Sequence, residues 1–373
     1  MRKVIYISGT RADYALMRRV LVGLRSKVEV MVIATCMHLS PHFGYTVREI
    51  EADGFLPRRV EMLIDGDTPA AMAKSVGVGL YGITQVLEEE KPDLVLVEGD
   101  RGESLAGAVA SAFLNIPVVH HGGGDLSGSV DNRIRYALTA IASYHLVGNE
   151  GSYHRLRKMG IPADRLFLVG EPGIDDIILK DYTGREELTG RFGIDPSHPL
   201  LVVLFHPNTE EFEDTGSQVN ALLAALKYLR LPTIAIFSNA DAGGGIINDR
   251  LSRFAQKNKF LQVYPHINRK DFLGLLSICS ALVGNSSAGI TELPSFKKPF
   301  IYIGTRQRNR MMPGNTVPVG YGKDEIVAGI TRALHDEEFL ERLHRMKNPY
   351  EIGLASEAII TRIAEILSGL PPC

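Results

Sequence analysis

A chain of 373 residues is longer than one hydrophobic core usually organises, so two domains are expected. Hydrophobic residues make up 45% and charged residues 23%, the balance of an ordinary globular protein. The formal net charge is −2 and no block of Lys or Arg stands out, which argues against a nucleic-acid or anionic-membrane partner and leaves any bound anion to local groups.

The chain opens MRKVIYISGT, where the apolar run after Lys3 has the length of a strand and is too short for a secretory leader or a membrane span. No later run reaches spanning length. Cys36, Cys279 and Cys373 are far apart and lack the spacing of a zinc site, which fits a reducing cytoplasm and no metal.

Short β-branched runs then alternate with helical patterns: VIYIS (4–8), VEVMVIAT (28–35), LVLVEG (94–99), IPVVHH (116–121) and YHLVG (144–148). Continuous apolar strands separated by helices predict a parallel sheet covered on both faces, hence a doubly wound α/β domain. The pattern pauses over 170–199 and restarts with LLVVLFH (200–206), PTIAIFS (232–238), FLQVYP (260–265), LVGN (282–285) and PFIYIG (299–304). The expected division is an N-terminal domain over 1–175, a second α/β domain over 176–353, and a terminal helix in 354–373 that packs back on the first. Two such Rossmann-like sheets place a cleft between their strand C-termini, where a nucleotide-sized ligand is expected.

Two motifs along the way carry little. Gly77-Val78-Gly79-Leu80-Tyr81-Gly82 matches a dinucleotide fingerprint but sits inside a helical stretch, so close helix packing is the better reading. Asp67-Thr68-Pro69, next to an Asp-Gly-Asp that resembles a metal motif, reads as a helix cap with proline in the first turn.

More informative is Glu98-Gly99-Asp100-Arg101-Gly102-Glu103, where a strand ends directly in acid and base. The next strand delivers His120 and His121 to the same lip, followed by Gly122 to Gly124, Asp125 and Asp131. Neighbouring parallel strands should bring Asp100 and Asp125 into one crevice. The plainer alternative makes Asp131 a helix N-cap and the glycines a loop. In the second half, Phe205-His206-Pro207-Asn208-Thr209 ends a strand. Gly284-Asn285-Ser286-Ser287-Ala288-Gly289-Ile290-Thr291-Glu292 breaks from a strand into small residues and a helix, an arrangement suited to a diphosphate. Arg306 and Arg310 follow the next strand and could add positive charge.

With SGTRADY, MHLSPHFG, GDRGES, FHPNT, NADAGG, GNSSAGITE and GTRQ in this order, the sequence resembles the hydrolysing UDP-N-acetylglucosamine 2-epimerase family of sialic-acid-type sugar synthesis. The resemblance implies the two-domain glycosyltransferase-B fold and conversion of a UDP-2-acetamido sugar, UDP-N-acetylglucosamine or UDP-N,N'-diacetylbacillosamine, to the free 2-epimer and UDP. C1–O cleavage with loss of the C2 proton gives a glycal, and water then adds across it. It further implies that Asp100, Asp125 and Asp131 are the acid/base carboxylates. Arg11, Arg101, His206, Asn239, Ser286, Ser287, Gly289, Glu292 and Arg306 are the implied substrate and nucleotide contacts. No cofactor or metal, no nucleic acid and no membrane are implied, and a homodimer or homotetramer is expected. A glycosyltransferase of the same architecture and a non-catalytic nucleotide-sugar sensor are the competing readings.

The chain departs from the family at several positions. His120-His121-Gly122-Gly123-Gly124 stands where HIHGG is usual, Glu98 where an apolar or small residue is commoner, Ala15 where serine or glycine is frequent, and Asn309 where glycine is usual. Asparagine tolerates the left-handed backbone that such a glycine supplies.

Overall fold

The computed structural model describes residues 1–371, so Cys373 falls outside the described residues. The chain divides into two compact units. The first comprises Met1–Leu126, Val130–Asp175 and the described chain from Ile352 on; the second comprises Ser127–Ser129 and Asp176–Glu351.

In the first unit the strands are β1 (Lys3–Ser8), β2 (Glu29–Thr35), β3 (Arg58–Val60), β4 (Leu94–Glu98), β5 (Val118–His121), β6 (Tyr144–Val147) and β7 (Leu166–Leu168). Between them run α1 (Arg11–Leu24), α2 (Val47–Ala52), α3 (Pro69–Glu90), α4 (Gly102–Phe113), α5 (Val130–Ile141) and α6 (Glu150–Lys158). All pairings are parallel, in the order β3-β2-β1-β4-β5-β6-β7. The sheet is apolar on both faces because helices cover both. Val4, Tyr6, Leu94, Leu96 and Val119 pack toward Met17, Val20 and Leu21 of α1, whereas Ile5, Ile7, Val95, Val97 and Val118 pack toward Ile83 and Leu87 of α3 and the alanines of α4.

After α7 (Asp175–Ile178) the second unit carries β8 (Leu201–Leu204), β9 (Thr233–Ile236), β10 (Leu261–Tyr264), β11 (Ala281–Gly284), β12 (Phe300–Ile303) and β13 (Thr316–Val319), again all parallel, in the order β10-β9-β8-β11-β12-β13. Its helices are α8 (Arg185–Phe192), α9 (Thr215–Leu229), α10 (Gly244–Lys257), α11 (Arg269–Ile278), α12 (Ala288–Thr291), α13 (Lys323–His335) and α14 (Glu337–Arg345). The last helix, α15 (Ala355–Gly369), belongs to the first unit. Its Ile359, Ile363, Ile366 and Leu367 recur at helical spacing and enter the α1-side core, and buried Asp175 accepts the backbone N–H groups of Ala355 and Ser356 at its start.

The glycine fingerprint lies in the middle of α3, as its helical setting predicts. A Cβ on Gly79 would meet Met62 and one on Gly82 would meet Val60, while Gly77 faces open space. Thr68 rather than Asp67 caps that helix, accepting from Ala71 N at 3.1 Å with Pro69 in the first turn. Asn309 has φ +67°, the left-handed backbone expected of it.

Candidate active site

In an open parallel sheet, strand order reverses at one point, and the loops leaving the two strands there diverge to opposite faces and open a crevice at the strand C-termini. In the first unit that point lies between β1 and β4. Ser8-Gly9-Thr10-Arg11 leaves β1 and Glu98-Gly99-Asp100-Arg101 leaves β4. The loops carrying SGTRADY and GDRGES therefore flank the strand-order reversal, and the stretch from His120 to Asp131 leaves β5 beside β4.

The β1 loop is tightly specified. Thr10 caps α1 by accepting from Asp13 N at 3.2 Å, and Asp13 in return accepts from the backbone of Gly9 and Thr10. Ser8 Oγ donates to Asp13 at 2.5 Å and meets His38 Nε2 at 2.8 Å, while His38 Nδ1 meets Thr46 Oγ1 at 2.8 Å. SGTRADY and MHLSPHFG are thus parts of one buried polar network. Arg11 is half-buried at the first turn of α1, and burial brings its pKa down to about 10. Arg101, at the N-cap of α4, lies 3.3 Å from Glu103.

Asp100 and Asp125 are brought together by a residue the sequence reading passed over. Arg135 on α5 is buried, pairs with the Asp100 carboxylate, and donates through Nη1 to the Asp125 carbonyl at 3.0 Å. Asp125 is itself buried, and its Oδ1 accepts from Asn149 Nδ2 at 2.9 Å and Ser152 Oγ at 2.6 Å. Asn149 is the N-cap of α6, so this oxygen is tied into the start of a helix, a favourable place for an anion. Asp131 is half-buried within the first turn of α5, which begins at Val130; it is not the N-cap of the plainer reading. It lies four residues before Arg135, on the same side of the helix.

Two histidines at this lip have opposite environments. His120 is fully buried, and its Nε2 donates to the Gly99 carbonyl at 2.7 Å; burial lowers its pKa to about 3. His121 points to the other face of the sheet and touches Glu98.

In the second unit the strand order reverses between β8 and β11. His206 leaves the first and Asn285-Ser286-Ser287 leaves the second. Asn285 joins the two loops: its Oδ1 accepts from His206 N at 2.7 Å and its Nδ2 donates to His206 O at 2.8 Å. His206 Nδ1 lies 3.1 Å from Ser238 Oγ, and Asn239 Nδ2 donates to Asp241 at 2.6 Å. Arg306 reaches the Asn285 carbonyl at 3.5 Å and Asp241 at 4.0 Å. His206, Asn239, Ser286 and Arg306 are therefore drawn into one neighbourhood around Asn285 and Asp241, two residues that the sequence reading had not selected.

The helix expected after the serines is shorter than a diphosphate cradle of the usual kind. α12 spans four residues and runs into a 3-10 turn, and Ser286 Oγ accepts one of its first N–H groups, that of Ala288, at 3.4 Å. A single turn offers few free N–H groups and little dipole. Gly289 has a packing reason of its own, since a Cβ there would fall 2.4 Å from the Phe300 ring. Glu292 pairs with Arg269. Among the described residues, no three His, Cys, Asp or Glu side chains are grouped to hold a metal ion, and no helix is long and apolar enough to cross a membrane.

Comparison with known proteins shows what the whole chain is similar to. A family model described as UDP-N-acetylglucosamine 2-epimerase matches residues 23–364. The chain is 35% identical to a hydrolysing UDP-N,N'-diacetylbacillosamine 2-epimerase of Legionella pneumophila, over 100% of this chain and 97% of that one. It is 31% identical to a hydrolysing GDP/UDP-N,N'-diacetylbacillosamine 2-epimerase of Campylobacter jejuni, over 85% and 84% respectively. Among solved structures, a UDP-GlcNAc 2-epimerase from Neisseria meningitidis, bound to UDP-GlcNAc, shares the fold with a TM-score of 0.81 at 21% identity, over 97% of this chain and all of that one.

Proposed function

Since the chain belongs to the UDP-N-acetylglucosamine 2-epimerase family, we propose that it is a hydrolysing epimerase that turns a UDP-2-acetamido sugar into the free 2-epimer and UDP. The observation that carries this reading is the pairing of Asp100 with Arg135 at the strand-order reversal of the first sheet, with Asp125 and Asp131 close along the chain. The C2 proton of such a sugar is not acidic, because no carbonyl adjoins it. Departure of the diphosphate must lead, leaving an oxocarbenium-like C1 that makes the neighbouring C–H labile. The chemistry therefore needs cations for the leaving diphosphate and carboxylates that move protons on the sugar.

In this reading Arg11, Arg101 and Arg306 supply the charge, and His206, Asn239, Ser286 and Ser287 hold the nucleotide. Asp100 and Asp131 handle protons. Asp125 acts mainly by fixing the loop, because one of its oxygens is committed to Asn149 and Ser152. The two similar relatives are named for diacetamido sugars, which makes UDP-N,N'-diacetylbacillosamine the first substrate to try and UDP-N-acetylglucosamine the second. The product would feed sialic- or legionaminic-acid-type synthesis in the cytoplasm, and a homodimer or homotetramer is the working form. Cys36 and Cys279, both buried as free thiols, suit a reducing compartment.

The test is UDP release by the purified protein from each nucleotide sugar in the absence of any acceptor. Release of UDP with a free 2-epimeric sugar from one of them is expected. Release that requires an added acceptor would point to a glycosyltransferase, and binding without release to a sensor.

A further inference from the structure

Two of the departures from the family pattern, Glu98 and the His121-Gly122 pair, meet in space. Glu98 ends β4, His121 ends β5, and the two are register partners, so the parallel ladder sets their side chains together on one face of the sheet. His121 has no exposed surface and the Glu98 side chain is 9% exposed. His121 Nδ1 lies 2.6 Å from Glu98 Oε2, and Nε2 donates to the Gly170 carbonyl at 3.0 Å. The carbonyl can only accept, so Nε2 carries hydrogen and Nδ1 is left to the carboxylate.

Around the imidazole stand Glu98 on β4, Glu171 beyond β7 and His120 on β5; Tyr6 on β1 is close to Glu98. Burial by itself lowers the His121 pKa, but the two carboxylates and the Gly170 carbonyl outweigh it and push it up to about 10. A buried ionic pair is costly to assemble where apolar side chains would serve, so its place at the ligand-binding end of the sheet calls for a role beyond packing.

The second oxygen of Glu98 suggests that role. Oε1 lies 3.6 Å from the point a Cβ on Gly122 would occupy. Gly122 has φ +85° and no side chain to fill that space. A carboxylate oxygen therefore stands at the lip between Gly99 and Gly122, backed by a fixed cation. Gly99 thus separates two carboxylates with different partners, His121 for Glu98 and Arg135 for Asp100.

We propose that Glu98 is a fourth proton-handling carboxylate of this site and that His121 is its positioning residue. The inference rests on the epimerase reading. Inversion at C2 takes a proton from one face of the sugar and returns one to the other, so two groups are needed. In the first half-reaction the C1–O bond breaks and its electron pair leaves with UDP. The C2–H pair becomes the C1–C2 π bond, and the proton passes to Glu98 Oε1. In the second half, a protonated carboxyl, Asp100 or Asp131, gives its proton to C2. Water oxygen bonds to C1, and the spare water proton restores that carboxyl. Glu98 returns its proton to solvent.

The test compares the full-length protein with Glu98→Gln in two reactions: UDP release from the UDP-acetamido sugar, and hydration of the corresponding 2-acetamido glycal supplied with UDP. For Glu98→Gln, kcat for UDP release is expected to fall by about 100-fold or more with KM within about threefold, while glycal hydration stays within about threefold. Hydration also shows that the variant is folded. His121→Gln is expected to lower kcat for UDP release by about tenfold with KM and glycal hydration each within about threefold, the split that a positioning role for Glu98 requires. Near-normal UDP release by Glu98→Gln would overturn the proposal. An equal fall in both reactions would do so as well, by making Glu98 structural. Failure of the unaltered protein to release UDP from either sugar would remove the epimerase reading and this inference with it.

Discussion

Lowering the pH from about 6.5 to about 4.5 loads the two neutral histidines of the first sheet. His120 and His145 are register partners across β5 and β6, and both are buried. Burial lowers their pKa values to about 3 and about 4, from 6.5 for an exposed imidazole. Because the folded values lie below the unfolded one, the unfolded chain binds protons in this interval that the folded chain does not, and stability falls as pH falls. Over these two pH units the loss is about 2 kcal/mol for each histidine and about 4 kcal/mol together, a large part of the whole stability of many domains. His121 adds nothing here: its raised pKa gives a contribution that is complete below 6.5 and is lost as pH climbs toward 10. Stability of the first unit should therefore peak near neutrality. His120→Gln keeps a donor for the Gly99 carbonyl and cannot titrate, so the acid loss should shrink by about 2–3 kcal/mol. Native-state hydrogen exchange read over peptides covering residues 116–147, at both pH values, separates this unit from the other. An identical pH dependence in the variant and the parent would refute the reasoning. Because Gly99 lies between Glu98 and Asp100, turnover should be lost along with this protection.

Other substitutions test the remaining parts. Asp100→Asn should reduce turnover by about 100-fold and leave UDP affinity within about twofold, measured by steady-state kinetics and calorimetry. Ser287→Ala should weaken UDP binding by about 1 kcal/mol, roughly fivefold in Kd, through loss of one hydrogen bond, with kcat little changed. Gly289→Ala drives a methyl into the Phe300 ring and should cost about 1–3 kcal/mol in thermal or urea unfolding; adding Phe300→Leu should recover part of it.

The interior of both sheets was legible because strands covered on both faces read as unbroken apolar runs. The three strands that left no such signal, β3, β7 and β13, are all sheet edges. RRV, LFL and TVPV are short or half-exposed, and Pro318 is tolerated because an edge strand needs only one ladder. Asp100 was legible as a candidate because it follows a strand end almost directly, whereas Asp125 and Asp131 lie further along the chain from β5. Arg135 was not legible, since a buried arginine on an amphipathic helix looks like any exposed one until the fold turns it inward. Asn285 was hidden for a related reason: its two bonds go to the backbone of His206, 79 residues away in the loop after β8. The one-turn length of α12 fits its own residues, since Gly289, Ile290 and Thr291 are weak helix formers and the chain passes at Leu293 into a 3-10 turn with Pro294 in its first turn. The Glu98–His121 pair was visible only as two oddities in the pattern, because neither residue type announces a cross-strand partner.

The decisive measurement is proton and deuterium NMR of the sugar formed from the UDP-acetamido substrate in heavy water. A free reducing sugar with inverted configuration and deuterium at C2, formed in step with UDP, is the expected product. A sugar that keeps its original C2 hydrogen, or an epimer still linked to UDP, would contradict elimination followed by hydration.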